Sequence, residues 1–187
     1  MKSVLMSIKP RWCELIESGA KTVEIRKNKP KLDTPFKVYI YCSQGEMKYI
    51  GSIRNETYQK RMKVIGEFVC DKVEEIGFSP RNHGEYICQD DSFVAQSCVP
   101  FEEMFEYLGD GYGYGWHISD LVVYDNPKPL SDFWAVGKCP YATIEGCTYK
   151  YYCFNAGKTK RCGDTIERPP QSWCYVDGGA DNEQTQT

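Results

Sequence analysis

The chain has 187 residues, of which 41% are hydrophobic, enough for one domain built around one core. No run approaches the roughly 18 consecutive apolar residues of a membrane helix, and Met1-Lys2-Ser3-Val4-Leu5-Met6 lacks the apolar stretch of a signal peptide, so a soluble cytoplasmic protein is expected. The net charge of −3 hides a split: residues 1–63 carry 14 Lys or Arg against 6 Asp or Glu, and residues 64–187 carry 9 against 20. Two readings stay open, a basic surface that attracts phosphates or charge halves that are not spatial halves.

In chain order, the pattern predicts a strand over 4–8 and a helix over 10–18, with Pro10 in its first turn, Trp12, Leu15 and Ile16 as its apolar stripe and Gly19 as a left-handed stop. A second strand is expected over 22–26 and a third, rich in β-branched and aromatic residues, over 37–42. Residues 43–62 are polar and basic and read as an excursion over the sheet. The run Lys63-Val64-Ile65-Gly66-Glu67-Phe68-Val69-Cys70 reads as a buried strand bent at Gly66. Residues 76–98 read as irregular, and Phe101, Met104, Phe105 and Leu108 mark a helix ended by Gly109 and Gly111. A strand over 114–124 should stop at Asn126-Pro127-Lys128-Pro129, and a closing strand over 172–176 follows Pro169-Pro170. Residues 1–177 thus form one α+β domain, a small barrel with flanking helices, followed by a disordered tail over 178–187.

The segment Gly19-Ala20-Lys21-Thr22-Val23-Glu24-Ile25-Arg26 carries the most chemistry. On a strand, Val23 and Ile25 point one way and Thr22, Glu24 and Arg26 the other, while Lys21 at the mouth of the turn reaches a ligand over that polar face. The same residues also admit a plain reading, in which Glu24 and Arg26 form an ion pair that organises the site without chemistry.

Four blocks in this order, Leu5-Met6-Ser7-Ile8-Lys9-Pro10, Gly19-x-Lys21-x-x-Glu24-x-Arg26, Gly66-Glu67-Phe68-Val69-Cys70-Asp71 and Gly115-Trp116-His117-Ile118-Ser119-Asp120-Leu121, resemble the ASCH domain family of PUA-like β-barrel proteins. The likeness runs from about Ser3 to Phe133. The closing Arg168-Pro169-Pro170-Gln171-Ser172-Trp173-Cys174-Tyr175-Val176 looks like the last strand of phage and mobile-element members. The resemblance implies a small PUA-like barrel whose cleft, beside the Gly-x-Lys turn, receives RNA, a nucleobase or a nucleoside. It also implies two enzymatic precedents, an amidohydrolase that deacylates N4-acetylcytidine with a lysine, a threonine and a glutamate, and a ribonuclease. Lys21 matches the lysine, but Glu24 stands where the threonine is needed, and no acid near Gln96 and Ser97 matches the glutamate, although Glu102 and Glu103 follow closely.

The candidate catalytic residues are therefore Lys21 and Glu24. Candidate ligand contacts are Lys9, Lys21, Thr22, Glu24 and Arg26, with Trp116 or Trp173 as stacking surfaces, His117 as a hydrogen-bonding or proton-shuttling group, and Gln171 and Ser172 reading a base edge. Cys13, Cys42, Cys70, Cys88 and Cys98 are isolated and read as small hydrophobes. Cys139, Cys147, Cys153 and Cys162 crowd a 24-residue insertion, over 139–162, too short for a core of its own, and a structural zinc bound by the four thiolates would organise it. Free thiols are the alternative. Three functions remain: binding of RNA or a modified nucleobase, hydrolysis of modified nucleosides or RNA, and docking to a protein partner. The pattern does not fix an oligomeric state.

Overall fold

The computed structural model describes residues 2–44, 60–80, 86–88, 92–109, 112–136, 142–143, 146–147 and 165–177. Most of the cysteine-rich insertion, most of the basic excursion and all of the tail lie outside the described residues. The N-terminal half begins with β1 (Lys2–Ile8), α1 (Pro10–Glu17), β2 (Val23–Arg26) and β3 (Phe36–Cys42). After the excursion come β4 (Lys63–Cys70), β5 (Val73–Ile76), β6 (Phe78–Pro80), β7 (Tyr86–Cys88), α2 (Ser92–Ser97) and α3 (Phe101–Leu108). The chain continues through β8 (Gly113–His117), β9 (Ser119–Lys128), β10 (Trp134–Ala135), the small pair β11 (Ala142–Thr143) and β12 (Gly146–Cys147), and β13 (Trp173–Asp177).

The strands build an α+β fold, but they do not close into the expected barrel. One sheet has six strands in the order β10-β13-β1-β3-β4-β9 and a second has three, β2-β8-β5. β13 does pair antiparallel with β1, as a terminal strand should, yet it inserts between β1 and β10, and among the described strands an edge remains at each end of the sheet. The two sheets are joined by short corners, β4 to β5 at Asp71-Lys72 and β8 to β9 at Ile118. They pack face to face through Met6, Ile8, Val38, Ile40, Ile65, Phe68 and Trp116.

β1 and β3 are covered on both sides. Val4 and Met6 face the core between the sheets, while Leu5 joins Tyr39, Tyr41 and Val176 beneath Phe133 and Ala135 on the outer side. Such double coverage is why these strands read as continuous apolar runs rather than alternating ones. Each side chain buried this fully contributes about 1.5–3 kcal/mol of transfer free energy.

Three local expectations need correction. Residues 76–98 are not irregular, because β6 and β7 form a hairpin and α2 follows. The strand over 114–124 is two strands meeting at Ile118, with Asp120 held at φ 45°. Finally, Pro127 does not end β9, which continues to Lys128. β9 is an edge strand, where a missing N–H is tolerated.

Candidate functional site

The turn after α1 is built by backbone geometry. Gly19 adopts φ 76°, and the amides of Gly19 and Lys21 donate to Ile16 and Leu15 carbonyls at 2.9 Å each. The Thr22 amide then donates to Gln96 O at 2.8 Å, and the Ile118 amide donates to Thr22 O at 2.9 Å. The turn is thereby fastened to α2 on one side and to the β8–β9 corner on the other.

From this turn Lys21 projects inward and is 1% exposed. Its Nζ donates to Ser97 O at 2.6 Å and lies 3.2 Å from Glu24 Oε2. Glu24 Oε1 accepts from Arg26 Nη2 at 2.8 Å, so one carboxylate serves two cations. Arg26 Nη2 also donates to Ser7 O at 2.8 Å, Nη1 reaches Ser172 Oγ at 3.4 Å, and Nε is buried with no partner among the described residues. Burial pulls the Lys21 ammonium below its ordinary range, an effect that the Glu24 carboxylate opposes.

The cluster forms the floor of a pocket of about 730 Å³. Its walls come from Ser7 and Lys9 at the β1–α1 junction, Trp12 on α1, Pro170 and Gln171 ahead of β13, and the polar face of α3. On that face Glu103 pairs with Arg11, and Lys27 at the end of β2 sits 5.2 Å from the Tyr107 ring. Arg11 and Lys21 lie 4.1 and 5.1 Å from the Trp12 ring centre.

Of the residues singled out from the sequence, Lys9, Lys21, Glu24, Arg26 and Gln171 line this pocket, and Ser172 touches it through Arg26. The others are placed elsewhere. Thr22 is exposed and contributes its backbone rather than its hydroxyl. Trp116 is fully buried in the core, edge-on to Phe36 at 5.5 Å, because β8 lies between β2 and β5 and its inner face meets the six-stranded sheet. Trp173 packs against Trp116 and Tyr175. His117 Nε2 lies 2.6 Å from Glu74 Oε2 outside the pocket, and Lys72, foremost, together with His117 holds the Glu74 carboxyl below its usual range.

Among the wall residues, Trp12, Lys27, Glu106 and Tyr107 were given no site role from the sequence, and Glu103 only as an acid near the expected glutamate. Trp12 sits at the margin of the α1 stripe, and positions 103, 106 and 107 form a polar stripe at helical spacing. In a sequence such a stripe looks like any solvated helix face. Cys139, Cys153 and Cys162 fall outside the described residues, as does the side chain of Cys147. Among the described residues no three His, Cys, Asp or Glu side chains converge to hold a metal ion.

No family model matches the chain, and no curated protein does. Solved structures do. The crystal structure of ASCH from Zymomonas mobilis superimposes with a TM-score of 0.53 at 14% identity, covering 94% of this chain and 87% of that one. A serine-to-alanine mutant of the same protein gives 0.54 at 14%, covering 94% and 88%, and a tyrosine-to-phenylalanine mutant gives 0.53 at 14%, covering 95% and 91%. At this identity the likeness is one of architecture, and it spans nearly the whole of both chains: the protein has the fold of an ASCH domain.

Proposed function

We propose that the protein binds RNA or a modified nucleobase in the pocket floored by Lys21, Glu24 and Arg26. The observation that carries this reading is the cluster itself, two cations and a carboxylate withdrawn from water at the base of a cavity that also holds an indole and exposed lysines. Fixed donors and acceptors on a rigid floor suit the edge of a planar base, and Trp12 offers it an apolar face. The ASCH fold and the ASCH-like motif blocks support the same class of ligand.

Hydrolysis is the weaker reading because the groups it would need are occupied. Glu24 accepts from both Lys21 and Arg26, and Lys21 Nζ is held between Glu24 and Ser97 O as a donor. To act as a general base, Glu24 would have to take a proton while holding two cations, each of which favours its charged form. Incubation with N4-acetylcytidine and with a single-stranded RNA, followed by chromatography and by a binding assay, separates the readings. Salt-sensitive binding without product is expected. Release of acetate or cleaved RNA that is lost in Lys21→Met would replace binding with hydrolysis, and no binding to either probe would leave a protein partner.

A further inference from the structure

The buried cluster is not electrically balanced. Lys21 and Arg26 are 1% and 6% exposed, and Glu24 is the one carboxylate within ion-pair distance of either among the described residues. With Lys21 as its ammonium, one positive charge is left over in a place almost closed to solvent, and Arg26 Nε still lacks an acceptor among the described residues. An isolated buried charge is costly, by several kcal/mol as a rule, and is normally met by a counter-charge. The surrounding walls do not supply it. From α3, Glu103 is committed to Arg11 and Glu106 stands exposed, while the β1–α1 junction and β2 add Lys9 and Lys27, which are further cations.

We propose that the pocket's ligand brings the missing charge as a phosphate oxygen seated against Arg26 and Lys21, so that the bound unit is a nucleotide rather than a neutral base or nucleoside. This rests on the nucleobase-pocket reading above and narrows it. Arg26 suits the role because its planar guanidinium already spends Nη2 on Glu24 and Ser7 O but holds Ser172 Oγ only at 3.4 Å through Nη1, a bond easily exchanged for a charged acceptor. Lys9 and Lys27 stand on the same walls to screen the remaining phosphate charge.

The test is calorimetric titration of the full chain with uridine, uridine 5′-monophosphate, the dinucleotide UpU and inorganic phosphate at low salt. Binding of at least one phosphate-bearing nucleotide about tenfold tighter than uridine is expected, with the advantage lost in Arg26→Gln and partly kept in Arg26→Lys. Circular dichroism verifies that each variant is folded, and should Arg26→Gln not fold, Arg26→Lys carries the comparison. UpU above the monophosphate identifies an RNA backbone as the source, and the reverse order a free nucleotide. Uridine bound as tightly as both nucleotides would overturn the anion seat and leave the base pocket standing. Inorganic phosphate binding that Arg26→Gln abolishes, with neither uridine nor nucleotide bound better, would keep the seat and remove the base pocket, and no binding of any probe would overturn both.

Discussion

Glu24 is the residue on which the site's stability turns. Its two carboxylate oxygens meet Lys21 at 3.2 Å and Arg26 at 2.8 Å, all three side chains being nearly withdrawn from water. Replacing it with glutamine leaves two buried cations without a counter-ion. Glu24→Gln should therefore cost about 3–5 kcal/mol in denaturant unfolding, far more than loss of an exposed pair such as Lys29–Glu75, which is worth at most about 1 kcal/mol. Glu67 makes a different kind of prediction. Burial opposes its ionisation, but hydrogen bonds from Lys37 and Tyr124 outweigh burial and hold its carboxyl below the usual 4.5. A carboxyl depressed in the folded state adds stability above its unfolded pKa and loses it as pH falls through the folded one. Thermal unfolding of the wild type should thus drop from pH 5 downward more steeply than that of Glu67→Gln, and parallel acid limbs would show that Glu67 contributes nothing. Residue-level legibility was uneven for a physical reason. The alternation in β2 placed Glu24 and Arg26 opposite Val23 and Ile25, because strand periodicity is local, whereas the burial of Trp116 depends on which sheet lies behind β8, and no local pattern carries that.

At the scale of elements, glycines separate close packing from backbone conformation. A Cβ on Gly66 would stand 2.4 Å from Val122 O, and the β4–β9 register shifts between Val64 and Gly66. The bend expected at Gly66 thus falls at an irregularity in the ladder, where the backbone of β9 lies close against that of β4. Gly66→Ala should cost about 1–3 kcal/mol by forcing the two strands apart there. Gly109, at φ 74° and ψ −154° beyond α3, has open space where a Cβ would stand, so Gly109→Ala pays only for a backbone region that is essentially reserved for glycine, about 1–3 kcal/mol. Pairing the two in a denaturant series with amide exchange tells the mechanisms apart: Gly66→Ala should loosen β9 amides selectively, and Gly109→Ala should leave them as they are. Helix α3 was legible for the same reason as β2, with Met104 and Leu108 buried at helical spacing. The β6–β7 hairpin and α2 were not, since short elements carry too few periods to rise above the polar residues around them.

Over the whole molecule, the two charge halves of the sequence meet at the pocket: Lys9, Lys21, Arg26 and Lys27 come from residues 1–63, and Glu103 and Glu106 from the acidic remainder. The zinc proposed for Cys139, Cys147, Cys153 and Cys162 is tested by elemental analysis of protein purified without added metal. One zinc per chain is expected, and four titratable thiols with little zinc would end that proposal. The pocket's charge leads to a stricter test, because electrostatic binding to a single strand releases counter-ions and the slope of log K against log salt is about −0.7 for each phosphate neutralised. Lys9 and Lys27 are exposed and so are free to meet phosphates without loss of fold, while Lys21 and Arg26 are already part of the buried cluster. A single-stranded RNA should accordingly show a slope near −2 or steeper, and Lys9→Gln with Lys27→Gln should flatten it by about 1.4 while leaving the unfolding midpoint unchanged. A slope unmoved by that double substitution would mean that the RNA passes over some other basic face, and that the alignment of charge with this pocket is a property of the sequence alone.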